Sequence, residues 1–282
     1  MATPRRLDRR AFIGGAGALA GAATLSPTIA GSAFAQAGAK TVTIGMSQEP
    51  PTLGYALGNA YVISIVKAAL GNQPTLTRRN DQNVWEPWLA ESVPTLENGG
   101  ATYVGEGADK RLQVTFKLRK DVKWSDGKQL TASDFKFGLD LILNPDYPVP
   151  GRDTQQKIAA LETPDDYTLV VNFMTEAEAK DAAANGRGGL AAKSFADFAN
   201  QSGPVLDPGY YKDYLAAFPK HVLQPLIDKV GVAELPKQDV MRKPLGIGPF
   251  KVTEWAEGQY IALEAVPTFF MGAPKIQSVI VK

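Results

Sequence analysis

From Lys40 onward, the alternation of apolar and polar positions divides the chain into short strands and a few helices. Thr41-Val42-Thr43-Ile44-Gly45-Met46 alternates and is β-rich, which predicts a first strand ending in the Pro50-Pro51 loop. Between Asn59 and Leu70 the apolar spacing changes to three and four, at Val62, Ile65, Val66 and Ala69. That spacing predicts a helix with Asn59 as N-cap and Gly71 as its stop. Leu112 to Leu118 alternates strictly and predicts a strand with one wet face. Its expected partner is Thr102 to Val104, inside the Gly-rich excursion from Thr95 to Ala108.

Downstream the pattern shortens. Lys123-Trp124-Ser125-Asp126-Gly127-Lys128 predicts a turn, because Asp-Gly supplies a residue that tolerates positive φ. Thr131-Ala132-Ser133-Asp134 has the spacing of a capping box. It opens a helix whose buried face carries Phe135, Leu139 and Ile142, and which ends at Asn144-Pro145. Ile158 to Leu161 and Tyr167 to Phe173 predict a hairpin about Thr163-Pro164-Asp165-Asp166, followed by an Ala-rich helix from Glu176 to Ala184 and a flexible break over Asn185 to Gly189. The last third is loose until Gly246, after which Phe250 to Trp255, Gln259 to Ala265 and Ile276 to Val281 read as three strands. Strands and helices mixed without strict alternation predict an α/β protein with several small sheets.

The residues ahead of Lys40 change the picture. Arg9-Arg10-Ala11-Phe12 precedes a soft Gly- and Ala-rich run from Gly14 to Ala30 and then Ala33-Phe34-Ala35-Gln36, the order of a basic region, a short apolar region and an A-x-A cleavage box. Arg9, Arg10 and Phe12 resemble a twin-arginine export signal. The expected mature protein therefore begins near Gln36 and works in a periplasm. Removing residues 1–35 takes away four Arg and one Asp and leaves 26 basic and 28 acidic residues, about −2 net. Nucleic acid is not an expected partner, because phosphate binding needs a clustered basic excess. The absence of Cys excludes disulfides and, with them, a lipid anchor built on an N-terminal Cys.

Four segments resemble the family 5 extracellular solute-binding proteins, the peptide-binding type of ABC importer component. They are Gln48-Glu49-Pro50-Pro51-Thr52-Leu53; Glu86-Pro87-Trp88-Leu89-Ala90-Glu91-Ser92; Leu118-Arg119 through Trp124-Ser125-Asp126-Gly127 to Phe135; and Gly246-Ile247-Gly248-Pro249-Phe250 with its continuation to Lys275. The resemblance implies a periplasmic-binding-protein-like lobe of class II type with an additional small α/β domain. It implies residues 1–35 as signal, 36–75 as the first part of lobe I, 76–184 as the inserted small domain and 185–282 as the second part of lobe I. Relatives continue past the equivalent of Ile276-Val281 into a second lobe, so the chain is expected to be the N-terminal portion, with that lobe absent.

The implied function is capture of a peptide or similar small solute and its delivery to ABC permease subunits, by a monomer with no cofactor and no catalysis. Relatives line their cleft at the loop after the first strand, which carries over to Tyr55, Leu57, Gly58 and Asn59, and at the entry to a later strand, Ile247 and Gly248. Tyr147 is a further candidate for an aromatic wall. Backbone groups at these places suit an extended ligand, as in strand addition. Trp124-Ser125-Asp126-Gly127, by contrast, is expected to be structural, Trp85 and Trp88 to pack in a core, and His221 to be packed or exposed without a chemical role. Two alternatives stand beside this reading. For an exported enzyme, one His and no Cys leave little for metal or nucleophilic chemistry, and a carboxylate-based hydrolase, which composition alone allows, has no supporting local motif. A family member that takes nickel, haem, an opine or a sugar has the same sequence features as a peptide binder.

Overall fold

The computed structural model describes residues 40–57, 63–72, 74–152, 155–175, 177, 178, 181, 182 and 215–282. The first sheet joins the two ends of this span. Strand β1 (Thr41–Ile44) runs parallel to β10 (Ser278–Val281), with Thr41 opposite Ser278 and Ile44 opposite Val281. Strands β9 (Tyr260–Ala265) and β8 (Phe250–Ala256) follow antiparallel, giving the order β1-β10-β9-β8. Helix α1 (Ile63–Leu70) covers this sheet through Val66 and Leu70, which pack with Leu53, Ile261, Leu263, Val279 and Val281. Gly71 ends the helix as expected, at φ +56°.

The second sheet is antiparallel throughout, in the order β4 (Ala101–Val104), β5 (Arg111–Lys117), β7 (Thr168–Phe173), β6 (Ile158–Asp165). The alternation seen in β5 is real packing: Leu112, Val114 and Phe116 are buried and the residues between them are not. Helix α2 (Ala132–Leu143) lies on that face with Phe135 and Leu139, and Trp124 fills the same core. Burying these aromatic and aliphatic side chains contributes roughly 1.5–3 kcal/mol each relative to exposure. A small ribbon of β2 (Thr77–Arg79) and β3 (Trp85–Pro87) stands beside the second sheet.

Three expectations are corrected. The hairpin turn does not span Thr163 to Asp166, because β6 runs through Pro164 to Asp165 and the turn is Asp165 to Thr168; Pro is tolerated there since β6 is an edge strand with irregular register. The last third is not loose where it is described ahead of Gly246, over residues 215–245. Helix α3 (Lys220–Val230) forms there in spite of Pro225, with Leu223 buried against Phe137, Leu141 and Phe218. Trp85 and Trp88 are both half-buried, and only Trp88 packs against the core as expected; the Arg79 guanidinium lies over Trp85 and that of Arg78 over Trp88, at 4.3 and 4.0 Å from the ring centroids. The stretch Asn185–Gly189 lies outside the described residues, as does most of the helix expected from Glu176.

Candidate functional site

The loop that leaves β1 is built by side chains from elsewhere. Its carbonyls at Leu53, Tyr55 and Leu57 are each taken by a different donor. Asn72 Nδ2 donates to Leu53 O at 2.5 Å, the Tyr147 hydroxyl to Tyr55 O at 2.6 Å, and Lys67 Nζ to Leu57 O at 3.0 Å. Ala56, between the last two, holds φ +52°, a region that a residue with a Cβ seldom occupies. Burial pushes the Lys67 ammonium below the usual lysine range. Gly58 and Asn59 lie outside the described residues.

Tyr55 and Tyr147 are the clearest departure from the expected site. Both are fully buried, and both hydroxyls are spent internally, since Tyr55 donates to Leu245 O at 3.0 Å while Tyr147 donates to Tyr55 O. Burial raises the pKa of each phenol above the usual tyrosine range. Their side chains therefore tie the loop after β1 to the segment before Gly246 and to the turn after α2, and offer a ligand no surface. Leu57 is buried in the same cluster.

The segment Gly246-Ile247-Gly248 is likewise occupied. Ile247 N–H donates to Gly71 O at 3.1 Å, Gly248 N–H to Leu70 O at 2.8 Å, and Gly246 O accepts Ser125 N–H at 2.8 Å. A Cβ on Gly246 would collide with the Leu70 carbonyl oxygen, and one on Gly248 with the Leu70 carbonyl carbon. The glycines are there to let two backbones meet. The N–H groups of Ile247 and Gly248 foreseen for a ligand main chain are thus bonded within the protein.

Residues that the sequence reading passed over complete the region. Glu49 bridges to the β8–β9 turn by accepting Trp255 Nε1–H and Gly258 N–H, the second at 2.8 Å. The Trp255 N–H, and after it the Gly258 N–H, hold the Glu49 carboxyl below the usual carboxylate range. Ser47, Gln48, Glu49, Gln259 and Tyr260 line a shallow cavity of about 180 Å³ at the carboxyl ends of β1 and β10. In the sequence Glu49 is visible only as part of a motif. Lys67 has one local signal, a charge set into an apolar helix beside Val66.

The Trp-Ser-Asp-Gly turn is structural, as expected. Gly127 stands at φ +89°, and Trp124 Nε1 donates to Asp134 Oδ2 at 3.2 Å. Asp134 also accepts the N–H of Thr131 at 3.0 Å, the returning half of the capping box, and that of Lys220 at 3.1 Å, so one carboxylate serves the starts of α2 and α3. Burial raises its pKa against the pull of those donors. His221 Nε2 pairs with Asp126 Oδ2 at 2.7 Å on the surface beside it. Among the described residues, no group of three His, Cys, Asp or Glu is placed to hold a metal ion.

A mixed sheet closed by a parallel pair from both ends of the described span, with a second antiparallel sheet inserted between, defines an α/β lobe of the periplasmic binding-protein class. The profile of the bacterial extracellular solute-binding proteins, family 5 (middle region), matches residues 84–282, and the chain belongs to that family. It is 31% identical over 198 residues to the oligopeptide-binding protein AppA of Bacillus subtilis, an alignment covering 69% of this chain and 28% of that protein. The structure of B. subtilis AppA in complex with a nonapeptide superposes with a TM-score of 0.61 at 25% identity, over 86% of this chain and 39% of that one. The oligopeptide-binding protein of Thermus thermophilus complexed with a pentapeptide gives 0.61 at 22% identity, over 86% and 40%. The chain thus spans well under half the length of these relatives. Among the described residues, no helix is long and apolar enough to cross a membrane.

Proposed function

We propose that this chain forms one wall of a cleft that captures a peptide outside the cytoplasm and presents it to an ABC permease. The observation that carries this reading is the 31% identity to a protein named for oligopeptide binding, whose structure holds a nonapeptide. Capture needs no bond to be made or broken, so the protein is a carrier and not an enzyme. Closure of two walls on the ligand is a hinge transition whose energy comes from the contacts made in the closed state. Arg9, Arg10 and Phe12 direct the chain to the twin-arginine translocase, and it works as a monomer without a lipid anchor.

Within that reading, the ligand main chain meets the backbone of the loop from Ala56 to Asn59. Tyr55 and Tyr147 support the loop through the Tyr55 carbonyl, and Ile247 and Gly248 brace the end of α1 beside it. A ligand seated on one wall alone stays largely in water, whereas sites that bind tightly bury most of it. Calorimetry with five- and nine-residue peptides therefore compares the chain by itself with the chain extended by the sequence encoded downstream of Lys282. Binding is expected only in the extended protein. No binding by either form would refute the peptide as ligand, and submicromolar binding by the chain alone would refute the single-wall reading.

A further inference from the structure

We infer that Lys67 is a positioning residue, whose ammonium on the Leu57 carbonyl holds the loop after β1 in the shape that a ligand main chain meets. The inference rests on the proposed function for what the loop meets, and on the geometry for how the loop is held. The gripped carbonyls fall at alternate residues, 53, 55 and 57, and their donors come from three places: just past α1, the turn after α2, and α1 itself. Ala56 sits between two gripped residues in the left-handed region. A strained residue persists only where its neighbours over-determine it. Tyr147 fixes one side of Ala56, and Lys67 the other.

Lys67 differs from the other two donors in carrying a charge. It is half removed from water, yet among the described residues no carboxylate pairs with it, and the Leu57 carbonyl is the acceptor it has. A lysine serving only solubility would stand clear of the surface, and one serving an ion pair would face an acid. A lysine in the last turn of a helix also complements the helix dipole. That role would affect the helix as a whole and leave the loop as it is, which gives the test its discrimination.

Hydrogen exchange resolved to the loop is measured on the full chain, as parent, Lys67→Met and Lys67→Arg. The Met variant keeps the apolar stem and removes the donor; the Arg variant keeps a charged donor. Loss of a charge-assisted hydrogen bond is expected to speed exchange at the Leu53 and Leu57 amides about tenfold in Lys67→Met, with β9 unchanged and the parent rate largely restored in Lys67→Arg. Unchanged loop exchange, or faster exchange spread equally over β9, overturns the inference. The same variants in the extended protein are titrated with an equimolar mixture of random pentapeptides, where Lys67→Met is expected to bind about tenfold more weakly. Equal affinity of Met variant and parent also overturns it. If the parent binds no peptide while the loop responds in exchange, the peptide reading falls and the positioning of the loop by Lys67 stands.

Discussion

Gly127 and Gly246 are both required, for different reasons, and substitution separates them. Around Gly127 there is open space, so a side chain meets nothing; the cost lies in its φ of +89° alone. Gly127→Val is expected to destabilise by roughly 1–3 kcal/mol, since a β-branched residue fits that region poorly. At Gly246 the obstacle is the backbone carbonyl of Leu70, which cannot turn aside without releasing the Gly248 N–H that it accepts. Gly246→Ala is expected to cost about 3 kcal/mol or more, because a methyl group inside a backbone contact strains both chains. Denaturant unfolding of the two variants checks the order. A Gly246→Ala protein as stable as the parent would mean that α1 and the entry to β8 are not in backbone contact.

At the level of elements, Glu49 joins the loop after β1 to the β8–β9 turn, and its titration can be followed. Its carboxyl is held below the ordinary value of 4.5 in the folded protein, first by Trp255 N–H and then by Gly258 N–H. The stability it adds is complete above 4.5 and is lost as pH falls through the lowered folded value. Glu49→Gln has no such dependence. The melting-temperature difference between parent and Glu49→Gln is therefore expected to be largest near neutrality and to close as pH falls through the lowered folded value, and a difference that is flat with pH would show that the clasp does not form. Nothing in the sequence around Glu49 announces Trp255 or Gly258, which lie more than 200 residues away. The same limit explains what else is and is not legible. β5 is readable because one wet face and one core face imprint a strict alternation, and α2 because its cap and its buried face agree. α3 is not, since Leu223 is its one fully buried residue and Pro225 breaks the pattern. The loop after β1 can be found as a place, but the donors that decide which of its groups are free are Asn72, Lys67 and Tyr147. No local spacing encodes them. Tyr147 looks like a free aromatic from its turn, and only the packed structure shows its hydroxyl on Tyr55.

For the whole molecule, the topology bears on how the chain is exported. The first sheet pairs β1 with β10, so Thr41 meets Ser278 across 237 residues of sequence, and among the described residues β1 has no other partner in that sheet. The sheet cannot close until the chain has been made through Val281, and pairings of such long sequence separation form slowly. A thread-like export route would place the two ends on opposite sides of a membrane before they meet. A route that carries folded protein avoids this, and Arg9-Arg10-Ala11-Phe12 ahead of a weakly apolar run is the signal expected for it. Replacing both arginines by lysine keeps the charge and removes the guanidinium geometry, which a receptor for paired arginines reads. Arg9→Lys with Arg10→Lys is expected to leave unprocessed precursor in the cytoplasm, seen by fractionation as the loss of the shorter exported form. Normal accumulation of that shorter form outside the cytoplasm would show that the paired arginines are not the address.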